Sequence, residues 1–293
     1  MTTIAQWFSG ARPRTLPAAV VPVAIGAAVS NREQFDTETL ILHGALSLVV
    51  SLALQVAVNF ANDYSDGVRG TDNARSGPLR LVGSGAATPS AVRRAAFVSF
   101  VVAAIAGVIL AAMTTWWLIA VGLLCIIAAW TYTGGPKPYG YAGFGELFVF
   151  IFFGLVATVG TSFAIANEIT VISLLAGCVA GFLAVALLVV NNLRDLQSDA
   201  ASGKMTLAVR LGARATRVVY VCCYVGAALG ILISALMQPG ALLGLVGLLA
   251  VLPAVSTVLQ VREPASLIPA LAMTARAQLV VGVLYALGFV IQS

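Results

Sequence analysis

The seventeen residues NFANDYSDGVRGTDNAR, from Asn59 to Arg75, hold three aspartates, three asparagines and two arginines. Only 9% of the 293-residue chain is charged. The segment lies at the end of an apolar run long enough to cross a bilayer. A second segment, NNLRDLQSD from Asn191, echoes it. Aligning Asp63 with Asp195 brings Asn59 onto Asn191, so each pair stands four residues apart, on one helical face. A further acid follows in each segment, Asp66 and Asp199. Carboxylate and amide oxygens are hard ligands that suit Mg2+, which takes one or two carboxylates and completes its shell with substrate phosphates and water. The neighbouring arginines, Arg69 and Arg194, and Lys204 add charge-assisted bonds to phosphate oxygens. The pattern reads as a diphosphate site at a membrane surface. Turn and cap chemistry with solvated acids would account for one segment alone, but not for two with matched spacing. Ionisable groups at bundle-facing ends of membrane helices are functional by default.

The elements that carry these residues are membrane helices. Hydrophobic residues make up 60% of the chain, against about 45–50% apolar and about 25% charged residues in a soluble domain. The chain reads as an all-α polytopic membrane protein, one integral domain over 1–293. Nine spans are predicted, near 15–30, 39–62, 91–112, 115–133, 144–166, 169–193, 215–237, 240–261 and 268–291. The turns at 112–115 and 237–240 predict antiparallel hairpins, with Trp116 and Trp117 in an aromatic belt. With the N-terminus in the cytoplasm, fourteen of the sixteen Lys and Arg lie on that side, and nine spans put the C-terminus outside. ARPRTLPAAVVPVAIGAAVS mimics a signal peptide, but its prolines and arginines fit better a retained first helix, entered from a helix lying along the membrane surface. Asp63–Ser90 and Asp195–Arg214 are predicted as long inner loops, whose length and polarity point to function. The two motif segments predict a weak repeat of parallel topology.

The net charge of +5 does not indicate nucleic acid, because the basic residues sit in short loops where they set orientation. Cys125, Cys178, Cys222 and Cys223 fall inside apolar runs without metal-ligand spacing and read as small packing residues. His43 reads as an interface residue near the outer end of the second run. The glycine pairs 177/181, 226/230 and 240/244 predict close helix packing. GSGAATPS lacks the ending of a nucleotide phosphate loop; it predicts a helix start capped by Thr88 and opened by Pro89.

Three stretches, NDYSDGVRGTD, YTGGPKPYGYAGFGE and NNLRDLQSDAASGKMTLAVRLG, resemble the signatures of the UbiA superfamily of intramembrane prenyltransferases. They are most similar to its menaquinone branch, which prenylates 1,4-dihydroxy-2-naphthoate. The resemblance extends over nearly the whole chain, including ARPRTLPAA. It implies nine helices around a central cavity that opens sideways to lipid. It implies a polyprenyl diphosphate held with Mg2+ by two aspartate-rich motifs, supplied here by Asn59, Asp63 and Asp66 and by Asn191, Asp195 and Asp199. The commoner first motif has an acid four residues after Asp66; here that position is Gly70 and the acid is Asp72. The implied reaction joins the polyprenyl chain to the naphthoate with loss of CO2 and diphosphate, giving demethylmenaquinol at the cytoplasmic side of a bacterial inner membrane.

The chemistry asks for particular helpers. As the allylic C–O bond ionises, charge builds on the diphosphate and must be stabilised, while the allylic cation must be kept from water. Tyr132, Tyr139 and Tyr141 offer π faces to that cation, and Lys137 is the expected diphosphate partner from the same loop. Arg14 is expected to fork the acceptor carboxylate. Arg276, mid-span, is expected to face the cavity or to pair with an acid such as Glu146. Glu146, at the start of the fifth span, has an equal reading as a first-turn acid favoured by the helix dipole. The alternatives are another acceptor such as 4-hydroxybenzoate, a transporter of anionic or divalent solutes, and a structural subunit. Transport fits poorly with polar residues gathered at one membrane face, and a structural subunit leaves the matched motifs unexplained.

Overall fold

The computed structural model describes residues 2–30, 37–71 and 79–291. Among these, every regular element is helical. A short helix α1, Ile4–Gly10, opens with a capping box between Thr3 and Gln6. The spans follow as α2 Pro17–Val29, α3 Thr37–Arg69, α4 Pro89–Met113, α5 Leu118–Thr131 and α6 Gly145–Ala166. They continue as α7 Val171–Ala201, α8 Leu207–Met237, α9 Pro239–Gln260 and α10 Pro264–Ile291. Seven of these helices are long and apolar enough to cross a membrane, and α2 and α5 are shorter apolar helices. The nine predicted spans therefore all have a helix, but two of them are too short to cross a bilayer core alone. The chain is a multi-pass membrane protein.

The helix starts follow local chemistry. The Thr88 hydroxyl accepts the Ala91 N–H, and Pro89 opens α4. Thr170 and Ser173 form a capping box at the start of α7. Trp116 and Trp117 are exposed at the α4–α5 turn, as an aromatic belt requires.

α7 is the most buried of the long spans and packs chiefly against α8 and α6. Glycines bring the backbones together: a Cβ on Gly154 would lie 2.4 Å from the Gly181 Cα, and one on Gly230 2.7 Å from Val179. Polar side chains add bonds between spans: Ser51 to the Ala19 carbonyl, Tyr220 with Thr274, and Ser234 with Tyr285. His43 belongs to this set. It is buried and bonds the Ala164 carbonyl at 2.7 Å, so it ties the start of α3 to the end of α6.

Both predicted inner loops begin as helix, and the second is helix over most of its length. α3 runs on through Arg69 and α7 through Ala201, so both motifs occupy the last turns of helices. Only residues 202–206 separate α7 from α8, where Gly212, at φ 76°, kinks the chain before the span proper. Apolar length marks where a helix crosses lipid, and a polar final turn extends it into water without a break.

Candidate active site

The two motif helices end in the same closure. Gly70 and Gly203, each four residues beyond the second acid, both have φ of 75°. The Thr71 N–H then bonds the Asp66 carbonyl, and the Lys204 N–H bonds the Asp199 carbonyl. This is the six-to-one bond of a Schellman cap. It places Thr71 and Lys204 in equivalent positions just past the two acids.

Lys204 uses that position to join the motifs. Its ammonium lies 3.4 Å from Asp66 Oδ2 and 3.8 Å from Asp199 Oδ1, and 5.2 Å from the centre of the Tyr141 ring. Tyr141 donates its hydroxyl to Asp66 Oδ1 at 2.7 Å. Burial, and then the Asp66 charge, hold the Tyr141 phenol well above its ordinary pKa, so it stays a donor. The first acids turn elsewhere. Asp63 is buried and accepts the Leu81 and Val82 N–H groups at 2.8 and 2.9 Å. Asp195 takes both arms of the Arg194 guanidinium at 2.6 Å, while Arg194 also reaches Asn191 Oδ1.

A cavity of about 820 Å³ begins at these groups. Its polar end is lined by Asn59, Asn62, Asp66, Asn191, Asn192, Arg194 and Lys204, with Arg12, Arg14 and Arg80 beside them. The remainder is apolar, with Leu54, Val50 and Leu110 on one side and Phe148, Phe152 and Val156 on another. Five cationic residues at one end and an apolar remainder suit an amphiphilic anion.

The N-terminal strap is tied to this end. Asn59 donates to the Ala11 carbonyl and to Thr15, Gln55 donates to Thr15 and Asn59, and Arg12 reaches the Asn59 carbonyl at 3.5 Å. The glycines of YGYAGFGE make room for Tyr132: Cβ atoms on Gly140 and Gly145 would meet its ring at 3.0 and 3.3 Å. Tyr132 and Tyr139 line the cavity. Tyr139 donates to the Ala128 carbonyl and stacks on Phe148 with centroids 4.0 Å apart, and Phe148 stacks in turn on Phe152.

Several predicted residues lie elsewhere. Lys137 is exposed and off the cavity wall; Lys204 holds the position expected of it. Arg69 does not line the cavity, since it donates to the Thr133 and Gly135 carbonyls and covers Tyr141 at 5.1 Å. Glu146 is buried just behind the wall, where Asn192 Nδ2 donates to it at 2.9 Å, and so does not pair with Arg276. Arg276 is exposed and not a cavity residue. It stands eight residues past Ile268, about 12 Å along the helix, within reach of the polar boundary by snorkelling. Asp72 lies outside the described residues. Asn62, Asn192, Gln55, Arg12 and Arg80 line the cavity without having been singled out from sequence. Asn62 and Asn192 carried a signal: each adjoins an acidic motif and is its second asparagine.

The chain has known relatives. The model of the UbiA prenyltransferase family matches residues 19–275. The chain belongs to the UbiA prenyltransferase family. A Mycobacterium tuberculosis member, a 1,4-dihydroxy-2-naphthoate octaprenyltransferase, is 47% identical over 286 residues, 96% of this chain and 95% of its own. An Escherichia coli member with the same designation is 34% identical over 293 residues, 96% of this chain and 94% of its own. Among solved structures, a UbiA homologue from Aeropyrum pernix shares the fold, with a TM-score of 0.70 at 13% identity over 95% of this chain and 97% of its own. A UbiA homologue from Archaeoglobus fulgidus, solved with DMAPP and Mg2+, has a TM-score of 0.60 at 15% identity over 96% of this chain and 99% of its own. The cavity of this UbiA member thus sits in a fold shared across widely diverged sequences.

Proposed function

We propose that this protein transfers a polyprenyl chain from polyprenyl diphosphate to 1,4-dihydroxy-2-naphthoate, releasing diphosphate and CO2 and forming demethylmenaquinol. The observation that carries this reading is the cavity itself. Two carboxylates from repeated helix ends meet at its cationic end, and the rest is an apolar chamber. The identities of 47% and 34% to two naphthoate octaprenyltransferases support the acceptor.

The donor set suits Mg2+. Asp66 and Asp199 already share one positive charge, the Lys204 ammonium. Among the described residues no group of three or more acids or His and Cys ligands gathers. Two carboxylates with amide oxygens leave room for phosphate ligands, as Mg2+ prefers. Asp66 and Asp199 would hold the ion, with Asn59, Asp63, Asn191 and Asp195 at the same helix ends. When bound, Mg2+ supplies positive charge to the leaving diphosphate.

The chain's own residues do the rest. Lys204, Arg194 and Arg80 at the polar end attract the diphosphate and stabilise its growing charge. The stacked rings of Tyr139, Phe148 and Phe152 line the wall below and offer π faces to the allylic cation while excluding water. Arg14 lines the cavity and takes the acceptor carboxylate as a fork. The ring attacks, C–C bond formation neutralises the cation, and the carboxylate leaves as CO2 with its electron pair returning to the ring. Two ring hydroxyls make the acceptor electron-rich, so the site needs no strong protein base.

The protein resides in a bacterial inner membrane with its N-terminus and active site in the cytoplasm and its C-terminus outside. Fourteen of the sixteen basic residues on one side support that orientation. The test is purified protein with labelled octaprenyl diphosphate and either 1,4-dihydroxy-2-naphthoate or 4-hydroxybenzoate, in Mg2+ or in EDTA. The expected result is a prenylated naphthoquinol, with CO2 released, only with naphthoate and only in Mg2+. Product with 4-hydroxybenzoate alone would overturn the acceptor, and equal product in EDTA would overturn the metal.

A further inference from the structure

The glycines of the bundle fall into two groups. Most span glycines are packing devices, where a Cβ would strike a neighbour: Gly26, Gly154, Gly247, Gly282 and Gly288 all meet one within 2.7 Å. Three others line the cavity and behave differently. Gly122 on α5 and Gly160 on α6 have nothing within 4 Å of a built Cβ, and Gly107 on α4 meets only Val50, at 4.0 Å. A glycine in a helix interior costs roughly 0.5–1 kcal/mol relative to alanine. Here no close helix contact accounts for that cost. What these three positions keep is open space on three walls of one chamber.

Their depth gives the space a use. Gly122 stands ten residues before Tyr132, about 15 Å along α5. Val50, the neighbour of Gly107, stands sixteen residues before Asp66, about 24 Å along α3. Gly160 is fourteen residues beyond Glu146, roughly 20 Å along α6. All three therefore lie deep in the apolar part, far from the diphosphate end. Their cavity neighbours there are Val121, Cys125, Leu110 and Val156. In addition, α5 packs against α3 and α4 and scarcely touches α6.

We propose that Gly107, Gly122 and Gly160 set the bore of the channel for the polyprenyl tail and so decide which chain lengths are accepted. The proposal rests on the prenyltransfer reading above. A long tail threads between the three bare backbones and continues along the loose α5–α6 seam into lipid. A side chain at any of the three narrows the bore below the reacting end, where a short tail does not extend.

The experiment compares octaprenyl with geranyl diphosphate, each with 1,4-dihydroxy-2-naphthoate, in full-length protein carrying Gly122→Leu, Gly160→Leu or Gly107→Leu. The expected result is a fall of about tenfold or more in the octaprenyl-to-geranyl ratio of kcat/KM. Gly44→Leu is the control: its Cβ also meets nothing within 4 Å, but it lies off the cavity, and the ratio should hold. Where a leucine variant fails to fold, the alanine variant reads the same ratio with a smaller drop of about threefold. An unchanged ratio in folded variants, whatever their absolute rates, overturns the proposal. If the unsubstituted protein turns over neither donor, the prenyltransfer reading fails instead.

Discussion

At the residue scale, the four motif aspartates divide the work in two. Asp66 and Asp199 converge on Lys204 at the mouth of the cavity, whereas Asp63 holds two backbone N–H groups of the 81–82 turn. Asp66→Asn and Asp199→Asn should each lower kcat by about 100-fold or more, since each removes a carboxylate that would hold the Mg2+ whose positive charge acts on the leaving diphosphate. Their melting temperatures in detergent should stay near that of the unsubstituted protein. Asp63→Ala should behave differently. It leaves the buried Leu81 N–H, at about 1–3 kcal/mol, and the part-buried Val82 N–H without that acceptor, so the melting temperature should fall. An unchanged melt for Asp63→Ala would show that the turn holds without its carboxylate anchor.

At the element scale, the Schellman closures and the π-helical stretch position the chemistry. Gly203 lets α7 end where Lys204 can reach both acids. Gly203→Ala forces a Cβ into the left-handed region, at about 1–2 kcal/mol. The expected outcome is lower activity with a modest loss of thermal stability; equal activity would detach Lys204 placement from the closure. Within α6, residues Phe150–Val156 form a π-helical stretch. The cavity-lining residues of α6 recur in adjacent pairs every four: Phe148 and Val149, Phe152 and Phe153, Val156 and Ala157, and Gly160 and Thr161. In a regular α-helix such a column drifts by about 40° per step. The wider π turn rotates it back, so one stripe of the helix faces the cavity along its length. π-Helical turns of this kind are frequent at functional sites.

At the scale of the whole molecule, sidedness ties the site to a compartment. Lys137 and Glu168 are both exposed, in turns at opposite ends of α6. In a cysteine-free background, Glu168→Cys should react with a membrane-impermeant maleimide in intact cells. Lys137→Cys should react only after permeabilisation. The reverse pattern would invert the topology and place the acidic motifs outside.

The sequence by itself determined the class of the protein, its nine helical segments, the sidedness of its charge and the two acidic motifs. These are properties of apolar run length and of local spacing, which a helix turns directly into faces. The same locality made the Thr88 and Pro89 helix start legible. Only the tertiary structure decided which charged groups share the site. Lys204 rather than Lys137 stands between the motifs, Asp63 faces a turn rather than the cavity, Glu146 bonds Asn192, and Arg276 lies off the cavity wall. Each of these choices joins segments far apart in the chain, through helix rotation and turn closure that residue type and spacing leave open. The bore of the cavity belongs to that second kind as well, because a packing glycine and a cavity glycine look alike until the facing helix is in place.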